Sequence, residues 1–361
     1  MSLLKPHFRG AMLGVVVGDC MGSFWEATSW RKTLNMDDVQ RKIDEQVEQS
    51  LRREFRISYT DDSTMSFSLA ESLLSSKEYN AVDVAKRFSA DYFRDPRRGY
   101  GQSISTVFTK LRFGIDDVYQ PAAEQFNGKG SFGNGSAMRV APVALFAYQK
   151  KDTLIEVARN SARITHAHPS AIIGAILQAI AVHTALELRG SDLDPVSFVE
   201  SLLSVVVPLE EAVEEPTSSG ATDESTPSGD DPSSSPPPDK KSLVLPSYQS
   251  KLLQIKEFIR QPHPPSADEI METLGNGIKA CEAVPCAIYA FLHCHKLSFK
   301  YLIPYTISLG GDTDTIASMA GAIGGAYWGE SCIPMEWINS VEGSNQAIKL
   351  ADGLFEFYSN A

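Results

Sequence analysis

Residues 310–325 read GGDTDTIASMAGAIGG. Behind two glycines and a group of aspartates and threonines, the segment is helix-like, and small residues recur along it at Ala317, Gly321 and then Gly324 or Gly325. Glycine costs about 1 kcal/mol relative to alanine inside a helix, so a row of small residues needs a reason, and close approach of another helix backbone is the usual one. The stretch therefore predicts a helix deep in the centre of a helical bundle.

A second row of small residues occurs near the N-terminus. Glycines recur there every four residues, at Gly10, Gly14, Gly18 and Gly22. The same cost of glycine in a helix applies, and the same explanation by close backbone approach. We expect this helix, too, to lie in the centre of the bundle.

Most of the remaining sequence also has a helical period. Examples are TMSFSLAESLLSS (64–76), AVDVAKRFSADYF (81–93) and HPSAIIGAILQAIAVHTALEL (168–188). Strand-like alternation is limited to ISYT (57–60) and SLVLP (242–246), which are too short to build a sheet. The sequence predicts an all-α fold in a single domain that spans residues 1–361.

Residues 209–241 differ in composition from the rest of the chain. They read LEEAVEEPTSSGATDESTPSGDDPSSSPPPDKK, which is acidic and rich in proline and serine. Such a segment buries too little apolar surface to offset its ordering entropy. We interpret 209–241 as a low-complexity, disordered insertion within one domain, since a linker between two domains is excluded if both halves share one site.

Composition limits the classes of function. The chain has 361 residues and a formal net charge of −12, which argues against direct nucleic-acid binding because that needs clustered lysine and arginine. No apolar run reaches the roughly 20 residues of a membrane span. Five cysteines without C-x-x-C spacing argue against a disulfide framework or structural zinc and favour a reducing, intracellular compartment.

Two acidic helix starts carry the candidate chemistry. YTDDSTM (59–65) and GGDTDTIA (310–317) both place carboxylates and hydroxyls ahead of a helical run. One interpretation is helix capping, with Thr60 as N-cap and Asp61 and Asp62 complementing the helix dipole. The same interpretation applies to Asp312 and Asp314.

The alternative is a metal site. No lysine or arginine lies between Asp61 and Lys77 or between Lys300 and Lys349, so basic partners are missing locally. Aspartate and threonine oxygens without basic neighbours suit hard divalent cations such as Mg²⁺. If the two helix starts converge, their carboxylates and hydroxyls hold two ions about 3.5–4 Å apart, the spacing of two-metal hydrolases.

A glycine-rich loop, FNGKGSFGNGSAMR (126–139), contains a literal G-x-G-x-x-G at Gly128, Gly130 and Gly133. No strand precedes it and no Gly-Lys-Ser/Thr closes it, so neither the Rossmann nor the Walker interpretation holds. A glycine loop that opens a helix still presents free N–H groups to an anion such as pyrophosphate. Phe126 and Phe132 flank the loop and either stack on an adenine or pack in the core.

We expect two further motifs to lie near this loop in the folded protein. RRGYG (97–101) is a second glycine-containing turn that we place along the same site. THAHP (165–169) has two histidines, but no further ligands that a zinc site needs are nearby. We expect a histidine here to make a hydrogen bond to a ligand and not to bind metal.

Taken together, these motifs resemble those of the ADP-ribosylglycohydrolase family. GDCMGSFWEA (18–27), YTDDSTM, GSFGNGSAMRVAP (130–142), THAHP and GGDTDTIASMAGAIGG come in the order seen in that family. The resemblance spans nearly the whole chain apart from 209–241. The sequences of the motifs are more similar to those of the serine-directed members than to those of the arginine-directed or the bacterial dinitrogenase-reductase-activating members.

The resemblance implies a single-domain orthogonal helical bundle with a central two-Mg²⁺ site, Mn²⁺ being the alternative ion. One ion takes Thr60, Asp61, Asp62 and Asp314, and the other takes Asp312, Asp314 and Thr315. Glu26 resembles a mobile-loop glutamate that also reaches the metals. The charged and poorly patterned stretch 31–56 is consistent with a movable flap. The catalytic candidates are Glu26, Asp61, Asp62 and Asp314.

The resemblance also implies the substrate contacts. The residues that match are Gly99, Phe126, Gly130, Ser131, Phe132, Asn134 and His166. Phe126 and Phe132 match the adenine-stacking aromatics, but a tyrosine is usual at the second position, so any hydroxyl contact there is lost. Gly130, Ser131 and Phe132 match a pyrophosphate loop.

The function implied is hydrolysis of the O-glycosidic C1″ bond of ADP-ribose. The expected substrates are ADP-ribosylated seryl proteins, poly(ADP-ribose) and O-acetyl-ADP-ribose, with ADP-ribose as product. The rivals are an arginine-directed hydrolase, a two-metal nucleotide phosphohydrolase and a non-enzymatic relative, which would have lost the aspartates. We expect a monomer in cytoplasm and nucleus, or alternatively in the mitochondrial matrix.

Overall fold

The computed structural model of the protein describes residues 3–26, 32–53, 55–114, 116–214 and 247–360. Within these ranges the chain is helical, and β-structure is limited to two isolated bridges, Ile57 with Val341 and Gly133 with Lys279. The predicted all-α class is confirmed. The α-helices are, in chain order, α1 Lys5–Glu26, α2 Met36–Arg53, α3 Asp61–Ser76, α4 Ala81–Arg94, α5 Ile104–Arg112, α6 Gln120–Ala123, α7 Gln125–Gly128, α8 Ala141–Phe146, α9 Lys151–Arg163, α10 Pro169–Glu187, α11 Pro195–Glu214, α12 Tyr248–Arg260, α13 Ala267–Leu274, α14 Ala280–Cys294, α15 Phe299–Ser308, α16 Thr313–Trp328, α17 Met335–Ser340 and α18 Ser344–Ser359.

Helices α1 and α16 form the centre of the bundle and pack antiparallel along their rows of small residues. A Cβ atom built on Gly14 would lie 2.0 Å from the carbonyl oxygen of Gly321, and one on Gly18 would lie 2.1 Å from that of Ala317. Only glycine allows backbones to approach this closely. The prediction that both helices are central is confirmed. The glycines of each helix are required because the backbone of the other helix lies directly against them.

The glycine pairing also sets the register of the two helices. A Cβ on Gly22 would lie 2.4 Å from the carbonyl oxygen of Thr313, at the first residue of α16. The end of α1, which is Glu26, therefore lies beside the beginning of α16. A slip by one helical turn would displace these ends by about 5.4 Å, so the register decides whether their side chains meet.

Helix α10 packs on this central pair. It is long and apolar enough to cross a membrane by length and composition, but 78% of its apolar window is buried inside the protein. Its side chain Gln178 donates a hydrogen bond from Nε2 to the carbonyl oxygen of Met319 in α16, at 3.0 Å. Core packing therefore accounts for its apolar composition.

The prediction that 31–56 is poorly patterned is wrong for helix α2. Val39, Ile43 and Val47 recur every four residues and are buried, while the charged residues around them face solvent. The many charges of the stretch obscured an ordinary amphipathic helix. Residues 27–31 and 54 lie outside the described residues, and the movable flap stays a prediction.

The predicted insertion begins inside helix α11, so its boundary at 209 is wrong. The helix continues to Glu214, and the carboxylate of Glu210 accepts hydrogen bonds from the backbone N–H groups of Tyr248 (2.6 Å) and Gln249 (3.1 Å). An anionic side chain stabilises the N-terminus of a helix, here that of α12. One of the acidic residues of 209–214, Glu210, thus stabilises the fold. The rest of the insertion, up to 241, lies outside the described residues.

Candidate active site

The first acidic helix start is capped as the simpler interpretation predicts. Thr60 has extended backbone, with φ −102° and ψ −161°, and its side chain accepts a hydrogen bond from the N–H of Asp62. The N–H of Asp61 donates to the carbonyl oxygen of Arg98 at 2.6 Å. The turn that contains Arg98 and Gly99 therefore lies directly against this helix start.

A buried carboxylate of α1, Asp19, holds the backbone of this helix start. Its oxygens accept hydrogen bonds from the N–H of Thr60 (3.0 Å), the N–H of Ser63 (3.0 Å) and the hydroxyl of Ser63 (2.6 Å). Burial raises the pKa of Asp19 to about 6, although these hydrogen bonds oppose the shift. Because Asp19 satisfies these backbone N–H groups, the carboxylate of Asp61 and Oδ1 of Asp62 remain available for the cleft.

The second acidic helix start meets the first through a hydrogen bond between hydroxyl and carboxylate. The hydroxyls of Thr60 and Thr315 both donate to Oδ2 of Asp62, at 3.2 and 3.3 Å. Nδ2 of Asn134 donates to Oδ2 of Asp312 at 2.6 Å. The two helix starts converge in the structure, from opposite ends of the chain.

Five carboxylates line the resulting cleft, whose cavity is about 210 Å³. Ligand oxygens of Glu26, Asp312 and Asp314 lie within 4.8 Å of one another. The carboxylates that line the cleft are Glu26, Asp61, Asp62, Asp312 and Asp314. Such a concentration of like charge is costly unless cations or protons balance it.

Burial and mutual repulsion shift the pKa values of these groups upward. Burial raises the pKa of Asp61 and Asp62 well above the ordinary value, and the neighbouring Asp19 adds to both shifts. Burial and then Asp312 do the same for the pKa of Asp314. The pKa of Glu26 is raised by desolvation, Asp312 and Asp19. All four shifts indicate a site short of positive charge.

The donor set of the cleft fits divalent metal ions. Oδ1 of Asp62 is buried and has no hydrogen-bond partner in the described part of the chain. Among the described residues that line the cavity, Arg139 is the only lysine or arginine. Its guanidinium is engaged with the oxygens of Gly135 (3.1 Å), Thr165 (2.8 Å) and Ser161 (2.7 Å). Carboxylate and hydroxyl oxygens without a cationic partner are the ligands that Mg²⁺ and similar ions prefer.

We expect the stability of the metal-free protein to fall as the pH rises from the ordinary pKa of an aspartate, about 4, through the raised pKa values of these carboxylates in the fold. The pKa values of Asp61, Asp62 and Asp314 are higher in the folded than in the unfolded chain, so the fold binds their protons more tightly. The stability that these protons contribute is complete at low pH and is lost as the carboxylates ionise. Mg²⁺ should raise the Tm of EDTA-treated protein more at pH 8 than at pH 5, measured by differential scanning calorimetry. A Tm that does not change on addition of divalent ions at either pH would contradict a metal site.

The predicted substrate contacts divide into two groups. Those that line the cleft beside the carboxylates are Gly99, Ser131, Asn134 and His166. Gly99 has φ +89°, and a Cβ there would lie 3.2 Å from Oδ1 of Asp61, so the turn passes close to the acidic cluster. Asn134 donates a hydrogen bond to Asp312 in this structure, and its contact with the substrate stays a prediction.

Phe126, Gly130 and Phe132 do not line the cavity that contains the carboxylates. Core packing, one of the two interpretations for the phenylalanines, is wrong because Phe126 and Phe132 are 53% and 45% exposed. The ring of Phe132 lies edge-on to His168, with 6.0 Å between centroids, and faces a neighbouring cavity. Gly130 has φ +71° and packs on the backbone of Ala167 and His168. Stacking on an adenine stays a prediction.

The sequence from its second residue to its last matches one family profile. That profile is "ADP-ribosylglycohydrolase", and it covers residues 2–361. The chain belongs to the ADP-ribosylglycohydrolase family. As a member of that family it is a hydrolase. The resemblance inferred from the five motifs is confirmed.

Relatives within the ADP-ribosylglycohydrolase family cover nearly the whole chain. The chain is 40% identical to "ADP-ribosylhydrolase ARH3" of Gallus gallus over 98% of this chain and 93% of that protein. It is also 40% identical to "ADP-ribosylhydrolase ARH3" of Homo sapiens, over 98% and 94%. A solved structure, "ADP-ribosylglycohydrolase-related protein complex", superimposes with a TM-score of 0.63 over 99% of both chains at 21% identity, which supports the fold.

The sequence interpretation missed three residues of this family member's site. They are Asp19, Arg139 and Thr165, all fully buried. Each lies inside a motif in which the interpretation assigned a role to a different residue; the motifs are GDC, GSAMRV and THAHP. A charged side chain inside an apolar or small-residue helical segment is a pattern that predicts a buried, partnered group, and it would have singled out Asp19 and Arg139.

Proposed function

We propose that the protein hydrolyses the O-glycosidic bond at C1″ of ADP-ribose and removes ADP-ribose from serine residues of proteins. The observation that carries this proposal is the convergence of two acidic helix starts beside a glycine-rich loop, joined by Thr315 and Asp62. Two relatives that are 40% identical bear the name ADP-ribosylhydrolase ARH3, which supports it. The sequences of the motifs, which resemble those of the serine-directed members, support serine as the linkage that is cleaved. We propose poly(ADP-ribose) and O-acetyl-ADP-ribose as further substrates.

Cleavage at C1″ builds positive charge on the ribose ring, as in other glycoside hydrolyses. The carboxylates of the cleft favour that charge electrostatically. The exposed Glu26, at the end of α1, and Asp61 and Asp62, at the start of α3, are the candidates to take a proton from the attacking water. Their raised pKa values move them toward the range in which a carboxylate accepts a proton near neutral pH.

The residues that would hold two Mg²⁺ ions are those whose oxygens meet in the cleft. They are Thr60, Asp61, Asp62, Asp312, Asp314, Thr315 and Glu26. When bound, the ions supply positive charge that orients the ribose hydroxyls and stabilises the leaving oxygen. Asn134 orients Asp312, and Asp19 holds the N-terminus of α3, so that the oxygens point into the cleft.

Release of ADP-ribose from defined substrates tests the proposal. Seryl-ADP-ribosylated peptide, arginyl-ADP-ribosylated peptide, poly(ADP-ribose) and O-acetyl-ADP-ribose are each incubated with the protein, with and without EDTA, and the products are separated by chromatography. We expect free ADP-ribose from the seryl peptide, with loss in EDTA and recovery with Mg²⁺ or, to a different extent, Mn²⁺. Release only from the arginyl peptide supports an arginine-directed hydrolase, and AMP or inorganic phosphate supports a nucleotide phosphohydrolase. Either result overturns the serine assignment.

The organisation and location of the protein remain predictions. We propose a single domain and a monomer, without direct contact to nucleic acid or membrane, in the cytoplasm and nucleus, with the mitochondrial matrix as the alternative. Size-exclusion chromatography with light scattering checks the monomer, and microscopy of the tagged full chain checks the compartment.

A further inference from the structure

The cleft contains a buried cation that contacts neither a carboxylate nor solvent. Arg139 is fully buried and its guanidinium lies 4.7 Å from the ring centroid of Phe88. Its three hydrogen bonds go to two carbonyl oxygens and to the hydroxyl of Thr165. Burying an arginine beside neutral acceptors is costly. The hydroxyl of Thr165 in turn contacts the ring of His166.

The hydroxyl of Thr165 has one proton to give, and its surroundings determine where that proton goes. Nη1 of Arg139 donates to Oγ1 of Thr165 at 2.8 Å, and a guanidinium has no lone pair with which to accept. Nδ1 of His166 lies 2.8 Å from the same Oγ1. In the described part of the chain, Oγ1 has no other acceptor within reach. The threonine proton therefore points to Nδ1 of His166.

An Nδ1 that accepts a hydrogen bond fixes the tautomer of a neutral imidazole, because the proton must then reside on Nε2. The ring is neutral at physiological pH: burial, and then the charge of Arg139, lower the pKa of His166 to about 3. The ring also has little freedom to turn. A Cβ on Gly135 would lie 2.8 Å from Cε1 of His166, so the glycine backbone packs directly against the ring.

Nε2 of His166 is thereby left as a hydrogen-bond donor in the cleft. The ring lines the same cavity as the carboxylates, and Nε2 makes no hydrogen bond to any described residue. A donor that is not a cation is useful here, because it recognises an oxygen of the substrate without attracting the metal-binding carboxylates. An ADP-ribose molecule offers ribose hydroxyl and phosphate oxygens as acceptors.

We propose that Arg139 and Thr165 are positioning residues that hold His166 as its Nε2–H tautomer, so that this ring donates a hydrogen bond to a hydroxyl or phosphate oxygen of the substrate. The part that concerns the substrate rests on the proposed function. The part that concerns the tautomer does not, since it is a property of the free protein.

The tautomer is read by long-range ¹H–¹⁵N NMR of the full chain labelled with ¹⁵N-histidine, with His166→Gln assigning the signals. We expect the protonated nitrogen of His166 to be Nε2. In Thr165→Val, which keeps the shape and removes the hydroxyl, the signals should change toward Nδ1–H or a mixture, and Thr165→Ser should restore Nε2–H. A proton on Nδ1 in the natural protein, or an unchanged tautomer in Thr165→Val, overturns the proposal without any assay of activity.

Kinetics then test whether the tautomer matters to the reaction. Thr165→Val should lower kcat/KM for seryl-ADP-ribose release about five- to tenfold, the size of one hydrogen bond. The loss should vanish in a His166→Gln background, because the threonine acts through the histidine. A loss that persists there means that Thr165 acts by packing, which overturns the proposal. If the natural protein releases no ADP-ribose, the proposed function fails while the NMR result stands.

The matched control is Thr306→Val. Thr306 is also fully buried, but its hydroxyl donates to the carbonyl oxygen of Leu302 within α15, away from the cleft. This variant reports what removal of a buried threonine hydroxyl does to the fold in general. It should leave the His166 signals and kcat/KM unchanged, and a change as large as that in Thr165→Val counts against the specific path through His166.

Discussion

Replacing Gly14 by alanine is expected to lower the free energy of unfolding by about 3 kcal/mol or more, at the upper end for overpacked sites. The new Cβ would lie 2.0 Å from the carbonyl oxygen and 2.4 Å from the carbonyl carbon of Gly321. Neither atom belongs to a side chain that can rotate away, so α1 and α16 must separate. Urea unfolding followed by circular dichroism measures the loss.

The control for this variant is Gly353→Ala. Gly353 also lies inside a helix, α18, but the nearest atom to its added Cβ is Cδ1 of Leu74, at 3.0 Å. A leucine methyl group yields by a small rotation, and alanine gains up to about 1 kcal/mol of helix propensity over glycine. We expect this variant to be within about 1 kcal/mol of the natural protein. If Gly14→Ala is equally mild, the two central backbones do not touch as described.

Neutralising Asp314 is expected to separate activity from stability. We expect Asp314→Asn to lower kcat/KM for ADP-ribose release by about 1,000-fold or more, because it removes a charged metal-ligand candidate at the centre of the cleft. The metal-free variant should nevertheless be more stable than the natural protein at neutral pH. Burial and Asp312 raise the pKa of Asp314, so its ionised form destabilises the fold when no cation is bound. Thermal unfolding in EDTA and the peptide assay in Mg²⁺ measure the two effects.

Helix capping makes the opposite prediction for Asp314, namely a stability loss of up to about 1 kcal/mol with little change in activity. Asp83→Asn is the control, because it removes the charge of an aspartate that only stabilises a helix start. Asp83 lies in the first turn of α4, accepts a hydrogen bond from Nε of Arg87 at 2.7 Å, and does not line the cleft. We expect it to lose some stability and no activity. If Asp314→Asn behaves in the same way, the acidic helix start is only a cap.

The central helices and their acidic ends could be predicted from the sequence because short-range patterns encode them. The four-residue spacing of Gly10, Gly14 and Gly18 predicts close backbone approach, whatever the partner. What spacing alone does not give is the pairing. That α1 contacts α16, and in which register, depends on contacts between residues at opposite ends of the chain, such as Gly10 with Gly325.

The sequence interpretation missed Asp19, Arg139 and Thr165 for the same reason, because their roles depend on contacts between separate segments of the chain. Asp19 acts on Thr60 and Ser63, which belong to another helix, so its role appears only when α1 and α3 are packed together. The histidine in THAHP was expected to bind ligand, but the arginine that fixes its tautomer comes from a different motif. One prediction from local composition was also wrong. The acidic residues at 209–214 suggested disorder, whereas they belong to helix α11 and Glu210 caps α12.

The pairing of α1 with α16 has a consequence for synthesis of the protein. Helix α1, Lys5–Glu26, leaves the ribosome long before its packing partner Thr313–Trp328, and it finds its packing surface only after that partner has also emerged. Until then its apolar residues are without their native cover, and nascent chains with exposed apolar surface are prone to aggregate. A prematurely terminated chain lacks both the partner helix and the carboxylates at its start. Translation must therefore have passed α16 before either the central helix pair or the cleft can form, and the nascent chain exposes apolar surface to which chaperones bind.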